Sequence, residues 1–319
     1  MQRRSIAFLA VLPLAILAAC QPSSQPIAGP SPVPGPAPKP SAAGYPGFDT
    51  GIYPGDEAMR TWRGASPYEW VGYYLPAPCH RDVSWAGKRE ALIGMGWGTA
   101  AIYVGQQDWT QMNRVPPQQP VTADSSASAQ ATTSPPAQTQ PPPQSQPQTQ
   151  AQPQAQPQTV ATPAQCASAN LVGGRGAQDA DDAIARAAAE GFPSGSVVYL
   201  DVERVQTVAP ALVSYAREWA DRMLADGRYL PGIYVHRVNA QPLVEAMRAA
   251  WSARGRSDAL PVWVTATDAA FNLDQAPGAS GFGDASIWQG RLDVTEAWGG
   301  VSLRIDQNVS GSRSPSSPR

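Results

Sequence analysis

One long stretch of this chain cannot pack, and it decides how the rest must fold. Val115 to Pro163 is dominated by Pro, Gln, Ala, Ser and Thr, has no aromatic residue, and contains Gln152-Pro153-Gln154-Ala155-Gln156-Pro157-Gln158. Such a tract buries too little to offset the entropy of ordering it. Folding is left to Gly44–Trp109 and Cys166–Ser310, with about 110–165 inserted between them. Lengthening a loop from about ten to about sixty residues adds only roughly 1.5 kcal/mol of closure entropy, so one domain can carry the insert.

The two foldable parts read as short apolar runs alternating with helical patterns, the signature of βα units. Eight strands are expected: around Gly47-Phe48-Asp49, Trp70 to Leu75, Ala101 to Val104, Val197 to Asp201, Gly232 to Val235, Pro261 to Val264, Ala285 to Trp288 and Ser302 to Ile305. Leu212, Tyr215, Trp219 and Met223 recur at helical spacing before Gly227, and Leu243, Met247 and Trp251 repeat the pattern. Asp179 to Asp182 are expected at the start of the helix before the fourth strand, where its dipole favours negative charge. Thr267 to Gly283 and Gly290 to Gly300 are poor in helical pattern. The last three strands therefore lack full covering helices, which allows one to run antiparallel. The expected fold is α/β, an eight-stranded TIM-like barrel with irregular final strands; a doubly wound sheet fits the same pattern less well.

Four acids fall at or just after strand ends, where a βα barrel builds its site. They are Asp49 after the first strand, Asp201 and Glu203 closing the fourth, and Asp306 closing the eighth. Asp201 and Glu203 are two apart, so in extended chain both point to one face. Closure of the ring sets the fourth strand across from the first and eighth. Facing carboxyls are what glycoside cleavage needs: one protonated to donate to the leaving oxygen, another ionised to support the oxocarbenium-like state. A single strand-end acid is more often a solvated or hydrogen-bonded structural residue.

Gly47-Phe48-Asp49-Thr50, Tyr103-Val104-Gly105-Gln106-Gln107, Tyr199-Leu200-Asp201-Val202-Glu203, Ile287-Trp288-Gln289 and Ile305-Asp306 occur in that order. This ordered set resembles the secreted glycoside-hydrolase-like proteins of domain-of-unknown-function family 1906, relatives of the family 25 lysozymes. The resemblance implies a barrel of five βα units closed by three less regular strands. It implies Glu203 as general acid, Asp201 orienting an N-acetyl group or steadying developing charge, and Asp49 and Asp306 completing the acidic pocket. The implied substrate is the amino-sugar backbone of peptidoglycan, with retention assisted by the sugar's own N-acetyl group. The same carboxylates would also suit a non-catalytic module that binds or tethers cell-wall glycan. A third reading makes the barrel a scaffold for an insert that contacts proteins.

Trp263 and Trp288 could stack on sugar rings or simply fill the barrel, and Tyr234 and Gln289 could hydrogen-bond hydroxyls. His80 and His236 lack metal-ligand spacing, no glycine motif cradles phosphate convincingly, and neither metal nor cofactor is expected. With a formal net charge of −2 and no basic run past the N-terminus, nucleic acid is an unsuitable partner. Cys79 and Cys166 flank loops that are neighbours on a barrel's upper face, which allows a disulfide pinning the insert to the rim.

Arg3 and Arg4 precede an apolar run, Ile6 to Leu17, too short to span a bilayer, which reads as a signal peptide over residues 1–19. Leu17-Ala18-Ala19-Cys20 resembles the lipobox of bacterial lipoproteins, implying a lipid on Cys20, and Gln21 in place of Asp favours the periplasmic face of an outer membrane. Residues 20–43 would tether the 44–310 barrel to the membrane, and 311–319 would form a solvated tail. A monomer is expected.

Overall fold

A computed structural model describes residues 44–110 and 166–319. The signal segment, Cys20 and the tether lie outside the described residues, as does the insert at 111–165. Among the described residues no helix is long and apolar enough to cross a membrane.

The chain forms an eight-stranded closed barrel. Its order is β1 (Tyr45–Asp49), α1 (Asp56–Ala65), β2 (Trp70–Tyr74), α2 (Arg89–Gly94), β3 (Gly98–Val104) and then, past the insert, α3 (Arg175–Ala189), β4 (Val197–Val202) and α4 (Pro210–Asp226). It continues through β5 (Leu230–His236), α5 (Arg237–Ala253), β6 (Val262–Thr265), β7 (Ile287–Trp298) and β8 (Val301–Ser310). Strands β1 to β7 pair in parallel in sequence order, and β8 closes the ring antiparallel to both β7 and β1. The closed ring excludes the doubly wound alternative.

The helical stripe read from α4 is its buried face: Leu212, Tyr215, Trp219 and Met223 all pack into the core, and Gly227 ends the helix at φ 78°. The lower barrel is filled by aromatic rings. Trp263 stacks on Tyr234 at 4.2 Å and meets Trp70 and Tyr199 edge-on at 5.5 and 5.7 Å. Gly47 makes room for this layer, because a Cβ there would lie 2.0 Å from the Trp70 ring.

The expected short link at Gly290–Gly300 is instead part of a long β7–β8 hairpin turning at Gly299–Gly300. It lies against α1, with the Trp62 indole N–H donating to the Val301 carbonyl at 3.0 Å and the Tyr68 hydroxyl to Glu296 at 3.0 Å. Direct hairpin return removes the need for a crossover helix, which is why β8 runs antiparallel. Asp179 to Asp182 also differ from expectation. Helix α3 starts earlier, at Arg175, so Asp179 sits one turn in, buried, bonded to Arg175 at 2.8 Å and accepting from the Tyr215 hydroxyl at 2.7 Å.

Residues 311–319, expected as a solvated tail, pack beneath the start of β3 and β4. Ser316 Oγ accepts from the Ala101 N–H at 2.8 Å and donates to the Val197 carbonyl at 2.6 Å, while its own N–H donates to the Thr99 carbonyl at 2.9 Å. The segment has little apolar surface to bury. It docks because its polar groups satisfy strand-end backbone that would otherwise be left unpaired.

Candidate active site

At the opposite, C-terminal end of the parallel strands the barrel opens into a cavity of about 280 Å³. Its lining includes Tyr74, Asp201, Glu203, Tyr234, Gln289 and Asp306. A larger depression, about 650 Å³ between α1 and α2, carries a single acid, Asp56.

Strand geometry brings the four acids together. Asp201 lies in β4 and Glu203 just beyond it, and both line the cavity, as alternation requires. Asp49 ends β1 and pairs in register with Asp306. Because β8 is antiparallel, Asp306 sits mid-strand rather than closing it, and it reaches the mouth as the chain descends from the hairpin.

Two carboxyls facing across a ladder repel when ionised, and the surrounding groups are arranged to hold them. Gln289 Nε2 donates to both Asp49 Oδ1 and Asp306 Oδ2, each at 3.1 Å. Asn308 Nδ2 donates to Asp49 Oδ1 at 2.7 Å, and the Tyr74 hydroxyl to Asp49 Oδ2 at 2.8 Å. Asp306 also accepts the Asp293 backbone N–H at 2.6 Å. That N–H is turned inward by a bulge in β7, where Asp293 adopts φ 56°, a left-handed conformation Asp tolerates better than most residues.

On the other wall, Gln107 clamps the end of β4. Its Nε2 donates to the Asp201 carbonyl at 2.9 Å, and its Oε1 accepts the Glu203 N–H at 2.9 Å. The neighbouring Gln106 accepts the Ala167 N–H at 3.0 Å. Beside it the Cys79–Cys166 disulfide joins the rim to the returning chain. Closing a loop with a sequence separation of 87 is worth about 4 to 5 kcal/mol in the chain-entropy account.

Burial governs the electrostatics. It pushes Asp49 up to about 7, with repulsion from Asp306 adding to the effect. Asp306 rises to about 6, through burial and then the nearby negative charge of Asp293 and Glu203. Asp201 is held well above the usual carboxylate range by burial and by Glu203, Asp49 and Asp306. Glu203 is solvent-exposed at the rim, yet protein crowding around it still raises its carboxyl. Four such groups cannot all ionise near neutral pH, so the pocket retains protons that it can donate.

The aromatic and polar candidates divide. Tyr234 lines the cavity above Trp263. Trp263 itself is fully buried in the barrel interior, with its indole N–H donating to Asn308 at 2.9 Å. Trp288 points out of the barrel, alternating with Gln289, and packs edge-on against Phe271 at 4.8 Å, so it offers no sugar platform. Gln289 lines the cavity, but its amide is committed to the two acids and to Thr265, whose hydroxyl donates to it at 2.8 Å. The sequence alone assigned no site role to Tyr74, Asn308 or Asp293, and Gln107 stood out only as the last residue of the Tyr103–Gln107 motif. For Asn308 a signal existed: it lies two residues after Asp306 and so shares its face. Among the described residues no group of His, Cys, Asp and Glu is arranged to hold a metal ion.

No curated protein matches this chain. Solved structures of similar fold include an uncharacterized B. stearothermophilus protein, at 15% identity and TM-score 0.48, covering 84% of this chain and 96% of that one. The modular autolysin LytC from Streptococcus pneumoniae is 13% identical with TM-score 0.45, over 83% of this chain and 46% of that one. The bacterial lysozyme from Streptomyces coelicolor is 14% identical with TM-score 0.43, over 83% of this chain and 91% of that one. A family model described as Rv2525c-like, glycoside hydrolase-like domain matches residues 60–310, most of the chain and nearly all of its barrel, and the chain therefore belongs to that family.

Proposed function

We propose that this protein is a cell-wall glycosidase of muramidase type, exported and held by a lipid on Cys20 at the periplasmic face of an outer membrane. The observation that carries the catalytic reading is that Asp201, Glu203 and Asp306 line one cavity, with Asp49 buried behind it and bridged to Asp306 by Gln289, and that desolvation raises the carboxyls of all four. Glu203, at the rim and reachable by substrate, protonates the glycosidic oxygen as that bond breaks. The carbonyl oxygen of the substrate's N-acetyl group closes onto the anomeric carbon, oriented by Asp201. Water then opens the cyclic intermediate, giving its proton to Glu203 and restoring the acid. Asp49 and Asp306, bridged by Gln289, form the acidic floor.

Incubation with purified peptidoglycan tests this directly. Wild type should release new reducing ends, and Glu203→Gln should release them at least about 100-fold more slowly, the usual weight of a general acid. Equal release by both proteins, or by neither, refutes catalysis by Glu203. Co-sedimentation without cleavage supports the glycan-binding or tethering alternative. Support for the anchor rests on the Arg3–Cys20 segment alone. Unchanged membrane association of a Cys20→Ala chain removes it.

A further inference from the structure

The cavity has a second wall that the acid chemistry does not use. Arg204, His236 and Thr267 line it opposite the acidic floor. Arg204 is exposed and makes no ion pair with any carboxylate among the described residues, whereas the neighbouring Arg237 is neutralised by Asp268. After burial, the nearby positive charge of Arg204 is the next cause that lowers the His236 pKa. His236 sits at the end of β5 and caps α5, its Nδ1 accepting the Val238 N–H at 3.3 Å. With Nδ1 occupied, the neutral ring carries its proton on Nε2, the remaining donor. The surrounding charges on the ring are Arg204, Arg237 and Asp268, a net positive set.

A pocket for a neutral glycan needs hydroxyl partners, not an unpaired guanidinium beside an imidazole donor. Five fixed N–H groups on a cation suit a carboxylate, which accepts them in pairs. We propose that Arg204 and His236 form a carboxylate subsite, so that the cavity selects sugars bearing an acidic substituent beside the bond that Glu203 attacks. This rests on the glycosidase reading for its placement, but not on turnover. Burial raises both floor acids, Asp49 to about 7 and Asp306 to about 6, so near neutrality the floor carries less than its full negative charge toward such a ligand.

Binding of two monosaccharides to the full chain tests the idea. N-acetylmuramic acid and N-acetylglucosamine share a ring and differ by a lactyl carboxylate; titration is followed by calorimetry or ligand-observed NMR. Wild type should bind the acidic sugar at least about tenfold more tightly, the weight of one charge-assisted pair near 1.4 kcal/mol. Arg204→Gln should abolish that preference and leave N-acetylglucosamine binding unchanged. Glucuronic acid as a third probe distinguishes the source: binding comparable to N-acetylmuramic acid assigns recognition to a ring carboxylate, and weaker binding to the lactyl one. Equal affinity for the two amino sugars, a preference that survives Arg204→Gln, or no binding of either overturns the subsite. The readout is independent of cleavage. A Glu203→Gln chain that keeps the preference while wild type cuts nothing would retire the hydrolase and keep the subsite.

Discussion

Replacing Asp49 by Asn should make the protein more stable at high pH. Asp49 is 1% exposed and its carboxyl is raised from 3.8 to about 7. A group that holds its proton more tightly when folded lends stability below its unfolded pKa, and that stability is lost as pH rises through the folded value. At 1.36 kcal/mol per pH unit, the shift from 3.8 to about 7 corresponds to a loss of about 4 kcal/mol between pH 4 and pH 8. Part of that belongs to repulsion with Asp306, which titrates in both proteins, so about 2 to 4 kcal/mol should separate wild type from variant. The amide fits the same contacts. Its oxygen can accept from Asn308 and Gln289 as Asp49 Oδ1 does, and its N–H can donate to the Tyr74 hydroxyl oxygen. Urea unfolding at constant ionic strength from pH 4 to pH 8 measures the difference. The two proteins should be near-equal in stability at pH 4, with Asp49→Asn ahead by about 2 to 4 kcal/mol at pH 8. A gap independent of pH, or one favouring wild type at pH 8, refutes the claim that buried charge at Asp49 is held at a cost.

Gln107→Leu keeps similar bulk but leaves the Glu203 N–H and the Asp201 carbonyl unpartnered. Stability should fall by about 2 kcal/mol and Glu203 amide exchange should accelerate at least about tenfold; unchanged protection at Glu203 would show that the clamp is dispensable. Ser316→Ala removes the hydroxyl that serves both Ala101 N–H and Val197 carbonyl. Urea unfolding should show a loss of about 1 to 3 kcal/mol, and a loss below about 0.5 kcal/mol would mean that the C-terminal segment rests on the barrel without sealing it.

Much of the architecture follows from pattern alone, because strand and helix periodicity are local properties of the chain. The eight apolar runs became eight strands, the α4 stripe became its buried face, and the unpackable tract fell between β3 and α3. Asp201 and Glu203 could be placed on one wall because a period of two is fixed by extended backbone. Other features depend on contacts between distant segments. The antiparallel β8 required the hairpin at Gly299–Gly300 to form, and this set Asp306 opposite Asp49 in mid-strand. The Asp293 bulge appears only where β7 and β8 fall out of register. Residues 311–319 look solvated by composition, yet dock because barrel closure leaves backbone groups at the lower ends of β3 and β4 for Ser316 to satisfy. Trp263 and Trp288 look alike in sequence, and only strand facing separates the ring that fills the barrel from the one outside it. Periodicity thus determined which residues could face inward together. Closure of the ring decided which of them meet, because the carboxyl pKa shifts, the Gln107 clamp and the Arg204 wall arise from groups far apart in the chain sharing one desolvated space.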